Sequence, residues 1–475
     1  MAITRLGVPG IELMERAGRA SFELARRQWP AARRLAIVCG TGNNGGDGYV
    51  IARLAHGAGL KVTMIQCGPV ATTGDARLAY QRMCDVGVPI SAEFSALGQA
   101  DLCVDALFGI GLNKPVLGDA AAAVAAINTA KVPVLSIDIP SGLLADTGAV
   151  AGCAVQATAT VTFIGLKQGL VTGAARDHVG QLFFDALEIP TALFDEVSPS
   201  ATCATWEMLR PSLAPRPRTA HKGSAGHVLI IGGAHGMSGA ARLAAEAALR
   251  VGAGLVSVAA HPEVAASINQ GRPEIMAHGI ATAGALGPLL ARASVVAIGP
   301  GLGQSPWAVE LFSKFRAHPG PLIVDADALN LLASDPESRE RWVLTPHPGE
   351  AARLLGCDTA DIGQDRFRAA RALHSRYGGV VVLKGAGTLV QQGPSRTAVI
   401  LGGNPGMASG GMGDVLTGVI AGFIAQGLPS SEAAVAGAAL HAMAGDLAAA
   451  AGERGLLASD LMPHLRELVN PRHSH

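Results

Sequence analysis

The chain has 475 residues, of which 49% are hydrophobic and 16% charged, and its 37 basic side chains balance its 37 acidic ones. This composition is typical of a packed globular protein of two or three domains, and it excludes a disordered chain. The zero net charge and the 4% aromatic content do not favour base stacking or a polyanion-binding surface, so no nucleic-acid partner is expected.

The cysteines and the apolar runs bear on location. Seven cysteines are scattered without a CxxC pair, which favours reduced thiols in a cytoplasmic protein and no zinc site. The first twenty residues carry acids where a signal peptide needs an apolar core. The apolar run Val415–Gly427 is shorter than the ~20 residues that span a bilayer, so no membrane segment is expected.

Buried strands alternate with helical patterns through the first half of the chain. Strands are predicted in Arg34–Gly40, Leu60–Gly68, Asp101–Gly109, Val132–Gly142 and Ala159–Lys167, and a helix in Gly48–Gly59. Apolar, β-branched strands separated by helices indicate a parallel sheet covered on both faces. Ligands bind beyond the carboxyl ends of such strands, where this pattern places Asn43–Asp47, Asp105 and Asp138.

The pattern breaks at about residues 185–217 and then resumes. Pro211–Arg218 carries three prolines and is predicted to be a linker or the start of a second domain. A second strand–helix series begins at His227, and the alanine-rich Ala433–Ala451 is predicted to be a packed helix and not a membrane span. The fold class is therefore α/β, with two three-layer domains at residues 1–197 and 198–475.

Four glycine-containing loops mark the second half, and each follows a strand or opens a helix. They are GPGLG (299–303), TPHPGE (345–350), KGAGT (384–388) and GGMGD (410–414). Backbone N–H groups at a helix N-terminus form an anion hole. Asp414 at that place would repel a phosphate by about 4 kcal/mol at roughly 4 Å and an effective dielectric near 20. The residues alone therefore leave the role of this acid open, and the simplest alternative to a catalytic role is an ordinary helix N-cap.

GGMGD, with its aspartate opening a helix, resembles the ribokinase-like superfamily. More narrowly, residues 203–470 resemble the ADP-dependent NAD(P)H-hydrate dehydratase domain through HKGSAGH…GAGLV, GPGLG, DADALN, TPHPGE, LKGAGT and GNPGMASGGMGDVLTG. The resemblance implies that the substrate is NADHX or NADPHX, a nicotinamide with water added across a ring double bond. It further implies that ADP, with Mg²⁺, phosphorylates the hydroxyl group, and that phosphate then leaves to restore the reduced cofactor.

The same resemblance assigns site residues in the second half. Asp414 is expected to be the catalytic base, ionised because its ordinary pKa is about 3.9. The other expected contacts are with the ADP or AMP nucleotide through Gly413, Lys384, Gly385, Ala386, Gly387 and Thr388, and with the hydrated nicotinamide through Ala240, Gly303, His347 and Asp414.

Several of these residues have simpler interpretations. His347 lies between two prolines and fits a rigid turn, and Lys384 fits a solvated lysine at a strand end. Asp325 and Asp327 fit a place beside a metal as well as turn or capping roles.

The first half carries a different glycine segment, GTGNNGGDGYV (40–50), which follows a strand and opens a helix. Its spacing departs from the GxGxxG dinucleotide fingerprint. The segment supplies N–H groups for a diphosphate and amide oxygens for a cation. Together with LMERAG (13–18) and the strand ends at Asp105 and Asp138, it resembles the NAD(P)H-hydrate epimerase domain, a Rossmann-like fold, over residues 5–190. The alternative is that the acids only cap turns.

The epimerase resemblance also implies site residues. It implies a K⁺ ion held by Asn44, Asp105 and Ser141, whose oxygen ligands suit a hard cation. Asp138 is expected at the reacting nicotinamide as the catalytic residue, apart from Asp47, because inverting a carbinol centre by hydroxyl loss or ring opening needs an acid or base. The remaining expected contacts are with the substrate phosphates through Asn43, Asn44, Gly45, Gly46 and Asp47, and with the nucleotide through Gly109, Ile110, Gly111, Leu112, Asn113, Lys114 and Pro115.

Together the two resemblances point to a bifunctional NAD(P)H-hydrate repair enzyme, a lyase and isomerase, expected to be a homo-oligomer. Because the dehydratase is expected to accept only the S epimer, an epimerase on the same chain lets all of the damaged cofactor be repaired. Two alternatives remain open from the residues. In one, the second half is an ATP-dependent kinase of a small alcohol or vitamin precursor and the first half a nucleotide-binding regulator; in the other, the first half is a non-catalytic interaction module.

Overall fold

The computed structural model describes residues 2–210 and 215–470. Contacts within the chain divide it into two compact units, Met1–Pro199 and Ser200–His475. Each unit is built on its own β-sheet.

The first unit contains a seven-stranded sheet of order β3-β2-β1-β4-β5-β6-β7, in which every neighbouring pair is parallel. Its strands are β1 (Arg34–Cys39), β2 (Lys61–Gln66), β3 (Ile90–Ser91), β4 (Leu102–Ala106), β5 (Val134–Ile137), β6 (Ala159–Phe163) and β7 (Gln181–Asp185). The five strands predicted from the sequence are present. The short edge strands β3 and β7 were not predicted, because their residues are mostly exposed or half-buried and lack a continuous apolar run.

Helices cover both faces of this sheet. They are α1 (Ala2–Leu6), α2 (Gly10–Gln28), α3 (Asn43–Gly57), α4 (Gly74–Asp85), α5 (Gly118–Thr129) and α6 (Thr191–Asp195). Alternate residues of a strand point to opposite faces. Ile37 of β1 accordingly packs in the core cluster of α2, α3 and α4, whereas its neighbour Val38 packs with α5. The unit is therefore a three-layer α/β structure.

Helix α3 begins earlier than the sequence predicted. The predicted helix was Gly48–Gly59, but the observed helix starts at Asn43, so Asn43–Asp47 form its first turn and not a loop before it. Glycine makes this possible by close approach: a Cβ on Gly45, within this turn, would lie 2.2 Å from the carbonyl oxygen of Gly40, which follows β1. The first turn of α3 consequently presses directly against the end of β1.

The second unit contains a ten-stranded sheet of order β11-β10-β9-β12-β13-β14-β15-β16-β17-β8. Its pairs are parallel except for β15–β16 and β16–β17, which are antiparallel. The strands are β8 (Thr202–Ala204), β9 (His227–Ile231), β10 (Leu255–Ala260), β11 (Met276–Gly279), β12 (Val295–Ile298), β13 (Leu322–Val324), β14 (Trp342–Leu344), β15 (Val380–Leu383), β16 (Leu389–Gly393) and β17 (Arg396–Ile400).

The helices of the second unit lie between and beside these strands. They are α7 (Trp206–Leu209), α8 (Ser238–Arg250), α9 (Pro262–Ile268), α10 (Gly287–Leu290), α11 (Pro306–Arg316), α12 (Ala326–Ser334), α13 (Pro348–Leu355), α14 (Thr359–Gln364), α15 (Arg366–Tyr377), α16 (Met412–Ala425), α17 (Ser430–Ala448) and α18 (Leu461–Leu468). Helices α8, α16 and α17 pack together on one face, in a cluster that includes Val228 and Ile230 of β9.

Helix α17 and the short turn after it, Ser430–Ala451, are long and apolar enough to cross a membrane by length and composition alone. However, 67% of the segment is buried inside the fold. The segment is therefore a core helix, as the sequence indicated.

The chain enters the second unit before the proline-rich segment. Strand β8 pairs with β17, so residues 202–204 already belong to the second sheet. The segment Pro211–Arg218, predicted to be a linker or the start of a second domain, follows β8 and α7 and so lies within the second unit; residues 211–214 of it lie outside the described residues.

Candidate active sites

Asp414 occupies the third position of helix α16, in its first turn. The N-cap is Gly411, whose φ of 91° is in the left-handed region that glycine adopts without strain. Asp414 is therefore the third residue of the helix and not its N-cap. The interpretation of Asp414 as an ordinary N-cap is therefore wrong, and the carboxyl group is available for other contacts.

Lys384 and Asp325 form the centre of the network around Asp414. Lys384 Nζ donates a 2.8 Å hydrogen bond to Asp325 Oδ1, and Thr417 Oγ1 of α16 donates one of 2.8 Å to Asp325 Oδ2. Asp325 is buried and stands at the start of α12, but it makes no capping hydrogen bond. The capping interpretation of Asp325 is thus wrong, and so is the interpretation of Lys384 as a solvated lysine.

Glu350 joins this network from helix α13. Its Oε2 lies 3.8 Å from Lys384 Nζ and accepts a 2.8 Å hydrogen bond from the His347 backbone N–H. The His347 ring accepts a 3.0 Å hydrogen bond from the Gly349 N–H through Nδ1, so His347 caps α13 while its side chain stays 56% exposed. His347 therefore has the predicted turn role and still exposes one edge of its ring.

The pKa values follow from four carboxyl groups around one ammonium group. Burial is the largest cause that raises the pKa of Asp414, the negative charges of Asp325, Asp327 and Glu350 add to it and Lys384 opposes it, and the net pKa is about 7. Burial also raises the pKa of Glu350, against the effect of Lys384. For Lys384, burial lowers the pKa, but its acidic neighbours outweigh that effect and leave the pKa above its ordinary value. The expectation that Asp414 has an ordinary pKa is wrong, because the sequence does not show its burial.

Gly413 leaves room for the lysine. A Cβ on this residue would lie 3.1 Å from Lys384 Nζ and 3.8 Å from Asp325 Oδ2. The segment Lys384–Thr388 joins β15 to β16, and Gly385 and Gly387 in it have positive φ angles. The buried Arg366 supports the segment by donating 3.2 Å hydrogen bonds to the carbonyl oxygens of Leu383 and Lys384.

The loop containing Gly303 approaches the same cluster from β12. Asp327 Oδ2 accepts a 2.8 Å hydrogen bond from the Gly303 N–H, and Asp327 is among the acids that raise the pKa of Asp414. Ala240, in the first turn of α8, lies beside Gly301, whose Cβ would be 3.2 Å from that of Ala240. Gly303 and His347 thus contact acids of the cluster, whereas Ala240 is connected to it only through the loop that contains Gly301 and Gly303.

In the first unit, Asp105 is a fully buried carboxylate at the end of β4. Ser141 donates to it through Oγ at 2.6 Å and through its N–H at 2.9 Å, and Ser136 Oγ donates at 2.8 Å. Burial raises the pKa of Asp105, while these hydrogen bonds oppose the rise. The predicted pair Asp105 and Ser141 is therefore in direct contact.

Asn44 is the third residue of the predicted K⁺ site, and its amide is unpaired. Neither Oδ1 nor Nδ2 has a hydrogen-bond partner among the described residues, although both atoms are buried. A Cβ on Gly109 would lie 3.3 Å from Asn44 Oδ1 and 3.3 Å from Asp138 Oδ2. Gly109 thus lies between the Asn44 amide and the Asp138 carboxylate. The rest of Gly109–Pro115 forms a largely exposed loop after β4.

Asp138 is held in a strained backbone conformation. Its φ is 68°, which a non-glycine residue adopts rarely. Its Oδ1 accepts a short hydrogen bond from Lys167 Nζ, within an ion pair in which both side chains are about 15% exposed. The sequence analysis missed Lys167. Its place two residues after the "TFIG" of β6, at the carboxyl edge of the sheet, is the signal that could have identified it.

Asp47 lies within electrostatic reach of Asp138. Burial raises the pKa of Asp47 well above its ordinary value; Asp138 raises it further and Lys167 opposes the rise. The residue assigned to the phosphate-binding segment and the residue assigned to catalysis are therefore neighbours. One turn of α3 and the end of β5 bring both acids into a single site.

Two other features help to locate the chemistry. Among the described residues, no group of three or more His, Cys, Asp or Glu side chains could hold a metal ion. A cavity of about 1400 Å³ in the second unit is lined by residues near the carboxyl ends of α8 and α16, including Gly252 and Gln426. It contains none of the predicted site residues, which lie at the opposite ends of these helices.

Comparison with known proteins gives matches over both units. A family model described as NAD(P)H-hydrate dehydratase matches residues 228–467, and one described as YjeF-related protein N-terminus matches residues 10–169. A protein of Coxiella burnetii named bifunctional NAD(P)H-hydrate repair enzyme is 49% identical over 98% of this chain and 96% of its own. One of Escherichia coli with the same name is 47% identical over 98% of this chain and 91% of its own.

Solved structures resemble part of the chain. A hypothetical protein of Streptococcus mutans is 31% identical with a TM-score of 0.53, covering 57% of this chain and all of that one. A ribokinase-like superfamily protein of Enterococcus faecalis is 29% identical with a TM-score of 0.54, covering 57% of this chain and 96% of that one. By full-length identity and by both family models, this chain belongs to the family of bifunctional NAD(P)H-hydrate repair enzymes.

Proposed function

We propose that residues 198–475 dehydrate (S)-NADHX and (S)-NADPHX to NADH and NADPH at the expense of ADP, giving AMP and phosphate. Residues 1–197 interconvert the R and S epimers of the same substrates. The observation that carries the first activity is Asp414, a half-buried base in the first turn of a helix with a glycine N-cap, with a pKa of about 7.

Asp414 suits the transfer of a phosphoryl group to a hydroxyl group. A base with a pKa near the working pH accepts a proton efficiently while a substantial fraction of it is still ionised. Asp414 would take the hydroxyl proton as the substrate oxygen attacks the terminal phosphorus of ADP. The N–H groups of Met412 and Gly413 and the Lys384 ammonium would stabilise the negative charge on the transferring group.

Departure of the phosphate completes the dehydration. The C–O bond breaks with its electron pair leaving on the phosphate oxygen, and the ring loses a proton to restore the double bond. Gly303, Ala240 and the exposed edge of His347 would hold the nicotinamide nucleotide, and Lys384–Thr388 would hold the ADP. Mg²⁺ usually binds through one or two carboxylates together with substrate phosphates, so a preformed three-carboxylate site is not required.

The epimerase proposal rests on Asp138 and its neighbours in the first unit. Asp138 would act as acid or base on the carbinol centre, while Asn43–Asp47 and Gly109–Pro115 hold the phosphates and the nucleotide. K⁺ fits the residues present: the Asn44 amide oxygen is buried without a partner, and Asp105 is a buried carboxylate without an ion-pair partner among the described residues. Bound there by Asn44, Asp105 and Ser141, K⁺ would supply fixed positive charge for the substrate phosphates.

One assay tests both activities. Purified protein is mixed with both epimers of NADHX, ADP and MgCl₂, and the return of NADH absorbance is followed. Complete recovery is expected. No recovery would disprove the dehydratase proposal, and recovery of only the S portion would disprove the epimerase proposal.

Two alternatives give different results in the same apparatus. An ATP-dependent kinase would transfer phosphate from ATP to a stable alcohol and would leave NADHX unchanged. A non-catalytic first unit would leave R-NADHX unconverted even with KCl present. We expect neither result: the full-length chain should not phosphorylate a stable alcohol from ATP, and it should convert R-NADHX.

The remaining expectations concern partners and location. We propose that the partners are small molecules only, without nucleic acid or membrane, and that the protein is a homo-oligomer, which light scattering after size exclusion tests. A cytoplasmic location is supported by the seven cysteines, all of which are free thiols.

A further inference from the structure

The ion pair between Lys167 and Asp138 stands apart from the surface ion pairs of the first unit. Lys167 follows β6 and reaches back to Asp138, which follows the neighbouring strand β5. Both side chains are more than four-fifths buried. A buried pair of this kind incurs a desolvation cost that surface pairs avoid, so it is weak evidence for stability and calls for another explanation.

The three N–H groups of the Lys167 ammonium are all used within the protein. They are donated to Asp138 Oδ1, to Thr162 Oγ1 at 2.9 Å and to the Phe163 carbonyl oxygen at 3.0 Å. Lysine has three donors and no acceptor. The ammonium therefore has no donor left for a substrate, and its effect on the reaction must pass through Asp138.

The two oxygens of Asp138 have different surroundings. Among the described residues, hydrogen bonds reach only Oδ1, from Lys167 and more weakly from Thr162 at 3.4 Å. Oδ2 points toward Gly109, on the side where Asn44 presents its unpaired amide. Lys167 thus fixes one oxygen and leaves the other facing the expected substrate.

Backbone strain accompanies this arrangement on both strands. Asp138 has a φ of 68° and Ile164 a φ of 63°, and for a β-branched residue such as Ile164 this conformation is a genuine outlier. The strained Ile164 lies in the short turn that carries Lys167. Residues held in such conformations are destabilising and cluster at active sites.

We propose that Lys167 is a positioning residue for epimerisation, which locks the carboxylate of Asp138 so that Oδ2 faces the reacting carbinol centre. This inference rests on the proposed epimerase function of the first unit. The proposed role is to orient a side chain: the Lys167 ammonium group holds the Asp138 carboxylate in one rotamer and places a positive charge next to it. A carboxylate free to rotate would face the substrate only part of the time.

The test compares Lys167→Met, Lys167→Arg and the control Lys61→Met, which removes an exposed lysine of β2. R-to-S conversion is measured by coupling to the protein's own dehydratase activity. Lys167→Met is expected to lower kcat for epimerisation at least tenfold with little change in KM, and Lys61→Met to match the wild type. Lys167→Arg is expected to recover part of the rate, because it restores the positive charge with a different geometry.

The split between kcat and KM separates positioning from simple support of the fold, because a variant that binds the substrate normally but turns it over slowly has lost orientation and not the folded site. Dehydration of pure S epimer by the same variant should stay unchanged, which verifies the sample. If the wild type epimerises and Lys167→Met epimerises equally fast, the inference about Lys167 is overturned but the epimerase function is not. A wild type without epimerisation overturns the function on which it rests.

Discussion

Lys384 Nζ lies 2.8 Å from Asp325 Oδ1, and Thr417 of helix α16 holds the other oxygen of the same aspartate at 2.8 Å. Asp325 therefore ties the lysine of one loop to the helix that carries Asp414. Because Glu350 contacts the same ammonium, the lysine is positioned before any nucleotide arrives. This arrangement favours preorganised charge over a lysine that must be ordered by its ligand.

The two proposed activities should be separable by single substitutions. Asp414→Asn should abolish NADH recovery while epimerisation continues, because it removes the base but keeps the side-chain volume. Asp138→Asn should stop recovery after the S portion, apart from slow spontaneous epimerisation. Asparagine tolerates the left-handed conformation of residue 138, so the fold should be kept. Loss of both activities in either variant would contradict separate sites.

Dehydration should depend on pH through Asp414. The pKa of Asp414 is raised to about 7 and the base acts when ionised, so kcat/KM should fall about tenfold per pH unit below pH 7 and level off above it. Asp327→Asn should move the inflection to lower pH, because Asp327 contributes to the raised pKa and the amide oxygen can still accept from Gly303 N–H. An inflection that stays in place in this variant would argue against Asp414 as the titrating group.

Gly413→Ala should damage the dehydratase without unfolding it. The added Cβ would lie 3.1 Å from Lys384 Nζ, which is fixed by Asp325, so the ammonium must shift by a few tenths of an ångström. We expect a decrease in kcat/KM of about 10–100-fold, because small misplacements in an active site have effects of this size. Gly410→Ala is the matched control, since its Cβ would meet no atom within 4 Å. Equal activity of the two variants would show that the space at Gly413 is not needed.

Gly109→Ala offers the corresponding test in the first unit. Its Cβ would lie 3.3 Å from both Asn44 Oδ1 and Asp138 Oδ2 and would fill the space between them. Epimerisation should fall at least tenfold, while dehydration of the S epimer is unchanged. Gly57→Ala, at the carboxyl end of α3 and outside the proposed site, has no atom within 4 Å of its new Cβ and should epimerise normally. The rates are measured side by side in the presence of KCl.

The K⁺ proposal predicts a specific stabilisation. A ligand that binds only the folded state stabilises it by RT ln(1 + [L]/Kd), so KCl should raise Tm relative to choline chloride at equal ionic strength. Asn44→Leu should lose this difference. In choline it should be at least as stable as the wild type, because a buried amide without partners is costly. A K⁺ response that persists in Asn44→Leu would place the ion elsewhere.

The sequence predicted the strand–helix alternation well because buried parallel strands carry continuous apolar runs. It also located Asp414, Asp105 and Asp138, since polar residues at strand ends and helix starts stand out against those runs. It did not predict the Lys384–Asp325 pair, whose members are 59 residues apart. Long-range pairing of this kind depends on which strands become neighbours, which local patterns do not determine.

The burial of the acids, like long-range pairing, could not be predicted from local sequence patterns. The pKa values of Asp414 and Asp47 depend on how far other elements of the fold bury them, so the rise in these pKa values is seen only in the folded chain.

The start of α3 was predicted too late for a related reason. Asn43–Asp47 has a glycine-rich composition typical of a loop, but packing against β1 makes it helical.

Strand β8 determines where the protein can be cut. Residues 202–204 cover the outer edge of β17 with parallel hydrogen bonds. A fragment that begins at Ser200 keeps that edge paired, whereas one that begins at Pro215, after the prolines, would expose a bare strand edge able to recruit other chains. The proline-rich segment that looks like a natural cleavage point is thus a poor one, and the better point lies about fifteen residues earlier, between Pro199 and Ser200.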